Sequence, residues 1–296
     1  MVKKYLSLVK FSHTIFALPF AFIGFFMGVF FDAQQKNLPM LDVLLQKQML
    51  QLFLWVLVCM VTARSAAMAF NRYLDRHFDA KNPRTAIREI PSGVIAASSA
   101  LRFVILNAII FIAATYFINP ICFYLSPVAL FVILFYSYTK RFTALCHMVL
   151  GLGLSLAPIG AYLAVTGTFA ILPVLFSCVV ICWVSGFDII YAMQDVDFDA
   201  SQNLHSIPTY LGKVNALRLS VLLHIIAAAL VIVAGVLAGY GYFYWEGALV
   251  FIGMLYYQHS IVSPTNLTNV NIAFMTANGI ASVIFGIHVL VALFLQ

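Results

Sequence analysis

Apolar residues run through the chain in long, weakly interrupted blocks of about 20, the length that crosses a bilayer core as a helix. Short stretches rich in Pro, Gly and charge separate them. The pattern predicts helical spans near 11–31, 49–71, 95–117, 120–138, 144–166, 169–191, 214–239, 242–257 and 271–294. Arg102 interrupts the third of these, and Glu246 falls in the short eighth. The connections are too short to hold a soluble domain, so residues 1–296 are expected to form a single integral membrane domain, an all-α bundle of about nine transmembrane helices. Lys3, Lys4 and Lys10 precede a first apolar run that is too long for a signal-peptide core and lacks a small-residue cleavage site. It is expected to be retained as the first helix.

Composition excludes the other broad classes. Apolar and aromatic residues make up 64% of the chain and charged ones 9%, with a mean hydropathy of +1.01, whereas soluble domains carry about 25% charged residues. The net charge of +6 does not point to nucleic acid, because the basic residues sit mostly between apolar spans. Of the 16 Lys and Arg, 13 fall on one side of the nine-span arrangement: Lys3, Lys4, Lys10, Arg72, Arg76, Lys81, Arg84, Arg88, Arg102, Lys140, Arg141, Lys213 and Arg218. Only Lys36 and Lys47 lie on the other side, and Arg64 is inside a span. The positive-inside rule makes the basic side cytoplasmic, in a multi-pass protein of the cytoplasmic (inner) membrane. The five cysteines, Cys59, Cys122, Cys146, Cys178 and Cys182, all fall in apolar spans and read as buried thiols rather than metal ligands or disulfides.

The acidic residues are distributed still more unevenly. Asp75, Asp79, Glu89, Asp188, Asp195, Asp197 and Asp199 are seven of the ten, and all fall on the basic side. Asn71, Asp75 and Asp79 recur every four residues and share one face of a helix end; Asp188, Tyr191, Asp195 and Asp199 do the same at three- and four-residue spacing. Like charges so placed repel, more strongly where water screens them less, so a cation is expected between them. Carboxylates are hard ligands suited to Mg²⁺, which takes few protein ligands and completes its shell with water and phosphate oxygens. Two such clusters at the mouth of a helical bundle suit Mg²⁺ ions bridging a diphosphate.

Lys81, Arg84 and Arg88 follow the first cluster, and Lys140 with Arg141 end the fourth span. They serve either to bind phosphate oxygens and stabilise a departing diphosphate or to fix topology. Arg64 lies about two turns inside the second span, on the face of Asn71 and Asp75 at offsets of 7 and 11. An intramembrane arginine marks a functional site by default, here an anionic substrate, with a structural salt bridge as the alternative. His13, near the start of the first span, either borders the site or is structural.

At these residues the chain resembles the UbiA superfamily of intramembrane aromatic prenyltransferases. The first motif of that family, Asn-Asp-x-x-Asp-x-x-x-Asp, is matched by Asn71, Asp75 and Asp79, with Arg72 in place of its usual Asp. The second, Tyr-Asp-x-x-Tyr-Ala-x-x-Asp-x-x-x-Asp, is matched by Asp188, Tyr191, Ala192, Asp195 and Asp199, with Phe187 where Tyr is common. Also similar are Arg84-Thr-Ala-x-Arg88 with Pro91-Ser92-Gly93, Tyr136-Ser-Tyr-Thr-Lys140-Arg141, Leu150-Gly151 and Ala157-Pro158-Ile-Gly160. The Arg-Thr-Ala-x-Arg segment and the Tyr-Ala-Met run resemble the 4-hydroxybenzoate polyprenyltransferases of ubiquinone synthesis. The Asn71-Arg72 start and the Asp79-Ala-Lys-Asn-Pro-Arg-Thr run resemble a related branch, proposed to prenylate a naphthoate-type acceptor on the futalosine route to menaquinone.

The resemblance implies an active site at the cytoplasmic mouth of the bundle, where Asp75, Asp79, Asp195 and Asp199 hold Mg²⁺ on an allylic polyprenyl diphosphate. Asn71, Lys81, Arg84, Arg88 and Arg141 are then substrate-binding candidates, and Tyr136, Tyr138 and Tyr191 shield the allylic cation with their ring faces. Lys140, Arg64 and Asp188 are the catalytic candidates. Lys140 stabilises the leaving group, Arg64 binds the carboxylate of an aromatic acid acceptor, and Asp188 orients that acceptor or takes its proton. The prenyl tail lies in an apolar tunnel between helices. Two rivals stand beside this reading: a transporter, whose polar residues belong near the midplane and on both sides, and superfamily members acting on haem or a chlorin.

Overall fold

The computed structural model describes residues 2–9 and 16–296, and among these every regular element is helical. In chain order they are α1 (Val2–Leu8), α2 (Leu18–Lys36), α3 (Met40–Leu44), α4 (Lys47–Lys81), α5 (Ala97–Tyr116), α6 (Pro120–Thr139), α7 (Cys146–Thr166) and α8 (Ile171–Ala192). They continue with α9 (Val196–Ser201), α10 (Ile207–Ala238), α11 (Tyr242–Ser260) and α12 (Asn278–Phe294). Among the described residues eight helical segments are long and apolar enough to cross a membrane. α11, with Glu246, Gln258 and His259, is not among them, although it packs against α10 and α12 as a ninth long helix. The chain is thus a multi-pass integral membrane protein, with the expected spans recovered to within a few residues at most ends. Lys10 and His13 lie outside the described residues.

Three differences from the expected spans matter for the site. The second span does not stop at residue 71; α4 runs to Lys81, 35 residues or about 52 Å, well beyond a hydrocarbon core of about 30 Å. The charges read as its end are accommodated on the inner face of a helix that continues out of the bilayer. The seventh span starts at Ile207 rather than 214, because Ser206 and Thr209 form a capping box and Pro208 sits in the first turn, while Gly212 at φ 74° breaks the helix inside. Past α8, a 3₁₀ turn (Met193–Asp195) leads directly into α9 and carries Asp195 and Asp199 onward.

α8 is the centre of the bundle, packed between α7 and α10. Trp183, Phe20, Phe176, Phe251 and Phe285 interlock there, and the indole of Trp183 donates to Asn278 Oδ1 at 2.7 Å. A π-helical turn (Ile272–Ala277) precedes α12, and the Asn278 amide donates to the freed carbonyls of Ala273 and Phe274 at 3.0 Å each. α2 crosses α7 so closely that a Cβ on Gly24 would stand 1.9 Å from the Pro158 carbonyl oxygen.

Candidate active site

α4 and the end of α8 bring the two acidic clusters to one cavity of about 200 Å³. Its wall includes Asn71, Asp75, Asp79, Asp188, Tyr191, Asp195 and Asp199. The four-residue spacing does what the sequence suggests: Asn71, Asp75 and Asp79 face inward from successive turns of α4, and the Asn71 amide donates to Asp75 Oδ2 at 3.3 Å. Asp75 is 3% exposed and Asp79 6%. Carboxylates buried to that degree need compensating charge.

The compensation comes from the basic residues. Arg141 donates to Asp75 Oδ1 at 3.0 Å, and Lys140 Nζ lies 3.3 Å from Asp75 Oδ2. Arg88 donates to Asp79 Oδ1 at 2.6 Å. Arg84 grips both oxygens of Asp195, through Nε at 3.0 Å and through a terminal nitrogen, and donates to the Tyr191 hydroxyl at 2.9 Å. Asn82 adds a bond to Asp195 Oδ1 at 3.2 Å and caps the Arg84 backbone N–H, so an Asx turn sets the guanidinium's direction. Burial disfavours the Arg84 charge, but the hydrogen bond to Asp195 and the neighbouring Tyr191 outweigh it and hold the guanidinium above its ordinary pKa. The segment 82–96 is in turn tied down where Ser7 of α1 donates to Glu89.

The donor set fits a divalent cation. Carboxylate oxygens are hard ligands of the kind Mg²⁺ takes, with its other positions left to phosphate and water, although among the described residues no three His, Cys, Asp or Glu side chains converge as ligands. Asp79 Oδ2 is buried with no hydrogen-bond partner among the described residues.

Beneath the polar cavity lies a second of about 400 Å³, lined by α4 from Val56 to Met68, α6 from Cys122 to Tyr136, and α7 from Leu150 to Ala164. Tyr136 belongs to both walls. Arg64 lines the apolar cavity, and its Nε is buried without a partner among the described residues. It therefore sits about 16 Å along α4 from Asp75. The shared face is real, but Arg64 and the carboxylates open into different chambers.

Three expected site residues line neither cavity, one of them Arg141, which nonetheless holds Asp75. Tyr138 is 49% exposed, packed on Arg141 and Phe142 outside both cavities; two residues along a helix turn about 200°, so Tyr136 and Tyr138 cannot face one cavity. Lys81 is exposed and bonds Gln202 Oε1 at 3.1 Å, away from the cavity wall. Arg72, in the position where the family usually has Asp, is 7% exposed, its Nε has no partner among the described residues, and it lines neither cavity. Sequence reasoning missed Asn82 and His147. His147 Nδ1 is 2.7 Å from Asp188 Oδ2, a contact between residues 41 apart that no local spacing announces.

Carboxylates and cations gathered above an apolar chamber define a membrane-embedded protein that receives an amphiphile with an anionic head. The model of the UbiA prenyltransferase family matches residues 17–280, and the chain belongs to that family: it is a prenyltransferase. It is 30% identical over 213 residues to a 4-hydroxybenzoate octaprenyltransferase of Shewanella halifaxensis, covering 72% of this chain and 74% of the relative. It is 31% identical over 222 residues to one of Tolumonas auensis, covering 75% and 77%. Among solved structures, a UbiA homologue from Aeropyrum pernix superposes with a TM-score of 0.81 at 28% identity, covering 94% of this chain and 97% of that one. A homologue from Archaeoglobus fulgidus, bound to DMAPP and Mg²⁺, shares the fold with a TM-score of 0.75 at 20% identity, covering 99% and 100%.

Proposed function

We propose that the protein transfers a polyprenyl group from polyprenyl diphosphate to the ring of 4-hydroxybenzoate, in ubiquinone synthesis, with Mg²⁺ as cofactor. The observation that carries the reading is the two-chamber geometry: paired carboxylates and cations above, an apolar cavity below, and Tyr136 at the junction. The names of the relatives support the acceptor, and the asymmetry of basic residues supports a cytoplasmic active site in the inner membrane.

Asp75, Asp79, Asp195 and Asp199 would hold Mg²⁺, which supplies neutralisation of the charge that grows on the diphosphate as it leaves. Arg84, Arg88 and Lys140 line the cavity beside those carboxylates and bind diphosphate oxygens once the carboxylates are occupied; Arg141, which holds Asp75 from outside the cavity wall, joins them as the site fills. The prenyl tail fills the apolar cavity, and the rings of Tyr136 and Tyr191 face the allylic cation. Arg64, whose Nε is buried in an apolar wall without a partner among the described residues, takes the acceptor's carboxylate.

A second acceptor class, a naphthoate on the route to menaquinone, is supported by the resemblance of the Asn71-Arg72 start and the Asp79-Ala-Lys-Asn-Pro-Arg-Thr run to that branch. Membranes containing the protein, given radiolabelled polyprenyl diphosphate, Mg²⁺ and either 4-hydroxybenzoate or a 1,4-naphthoate, discriminate the two. Labelled product with 4-hydroxybenzoate, lost in the Asp75→Ala and Asp195→Ala variants, is expected. Product with the naphthoate alone assigns the other pathway, and no Mg²⁺-dependent diphosphate binding at all points to a transporter.

A further inference from the structure

We infer that His147 is the catalytic base that removes the ring proton of the acceptor, with Asp188 as the residue that positions it; the inference rests on the aromatic prenyl transfer proposed above.

His147 is 3% exposed and shares the wall of the polar cavity with Tyr136, Asp188 and Tyr191. Its two nitrogens are used differently. Nδ1 meets Asp188 Oδ2 at 2.7 Å, and Nε2 is buried with no hydrogen-bond partner among the described residues. An unpaired buried nitrogen is costly and rare. In the neutral ring, donation from Nδ1 to the carboxylate leaves the lone pair on Nε2; a carboxylate that orients an imidazole in this way fixes its tautomer and stabilises the imidazolium that forms.

The ring is also held rigidly. Ser185 Oγ donates to the His147 carbonyl at 3.1 Å. One turn further along α7, a Cβ on Gly151 would lie 2.6 Å from Ser185 Oγ and 2.7 Å from the Ile181 carbonyl oxygen. α7 and α8 therefore meet almost backbone to backbone directly beneath the His147–Asp188 pair. Such contact keeps the imidazole from swinging out of the cavity. Asp188 Oδ2 is committed to Nδ1, which gives that carboxylate the positioning role.

The chemistry balances without any further reagent. The C–O bond of the allylic diphosphate breaks and its electron pair leaves with the diphosphate. A π pair of the acceptor ring forms the new C–C bond, leaving a ring cation whose substituted carbon still bears hydrogen. His147 Nε2 accepts that proton, and the C–H pair restores aromaticity. The imidazolium, paired with Asp188, returns its proton to water through the polar cavity.

The test compares the unaltered protein with His147→Asn, whose amide retains a donor toward Asp188 but lacks Nε2, and with His147→Ala. Three quantities are read: Mg²⁺-dependent binding of geranyl diphosphate, kcat with ordinary and ring-deuterated acceptor, and rescue of His147→Ala by free imidazole. Geranyl diphosphate binding is expected to stay within twofold, which also certifies folding, while kcat falls about 10²- to 10⁴-fold. Proton removal then limits turnover, so a deuterium effect on kcat, absent in the unaltered protein, appears in both variants, and imidazole restores part of the rate. Undiminished kcat in His147→Asn, or a fall with neither deuterium effect nor rescue, overturns the inference while leaving prenyl transfer in place. Failure of the unaltered protein to prenylate any aromatic acceptor overturns both.

Discussion

Arg84 and Asp195, 111 residues apart, are joined by a two-pronged ion pair that locks the segment after α4 onto the end of α8. The same pattern holds for Arg88 on Asp79 and for Arg141 with Lys140 on Asp75. Side chains suited to metal and side chains suited to phosphate hold one another.

Mg²⁺ and diphosphate are therefore expected to bind together. Either one alone must break ion pairs and strand a charge, whereas the two together repartner every group. Titration calorimetry should find Mg²⁺ affinity raised about tenfold or more by saturating geranyl diphosphate, and the reverse by the same factor. Independent affinities would sink this reading of the pairs. Arg84→Gln should lower kcat/KM about 10²- to 10³-fold, since a preorganised cation on the leaving group is lost.

Arg64 should act on the acceptor alone. Removing a charged hydrogen bond to a buried carboxylate costs about 1.5–3 kcal/mol, so Arg64→Gln is expected to raise the KM for the aromatic acid about 10- to 150-fold. The KM for the prenyl diphosphate should stay put. A matched rise in both would place Arg64 in the diphosphate site instead.

Tyr136 and Tyr138 should separate cleanly. Tyr136→Leu removes a ring at the junction of the two cavities and is expected to reduce kcat about 30-fold, the equivalent of about 2 kcal/mol for a desolvated cation on an aromatic face. Tyr138→Leu, on the outer side of α6, should leave kcat within twofold. Equal losses would contradict the placement of Tyr138.

Gly24→Ala tests the packing. The new methyl would meet the Pro158 carbonyl oxygen, a backbone atom that cannot move aside alone, and overpacking of this kind costs about 1–3 kcal/mol. A lower Tm in detergent is expected, with Gly160→Ala, where nothing lies within 4 Å, as the silent control.

Hydropathy made the long helices legible because a bilayer imposes one length on each, and four-residue spacing made Asp75, Asp79, Asp195 and Asp199 legible because a helix imposes one face. What was hidden depended on contacts between helices. The continuation of α4 past Asn71 was hidden, since its charges look like a terminus until Lys140 and Arg141, just past the end of α6, are seen to neutralise them. His147 was hidden for the same reason, as an ordinary first-turn residue of α7 until α8 brings Asp188 to it. Tyr138 was misplaced by treating a pair of neighbouring tyrosines as a unit, which helical rotation forbids.

Tyr136, in the walls of both cavities, also bears on how a reaction here would end. A substrate anchored by its diphosphate above that ring and by its hydrocarbon below it is held at two ends. Once the diphosphate has gone, only the hydrocarbon anchor is left, and the surrounding lipid competes for it on equal terms. The same boundary that retains the substrate thus lets the product partition away, and turnover gains a direction from the solvent in which the protein is dissolved.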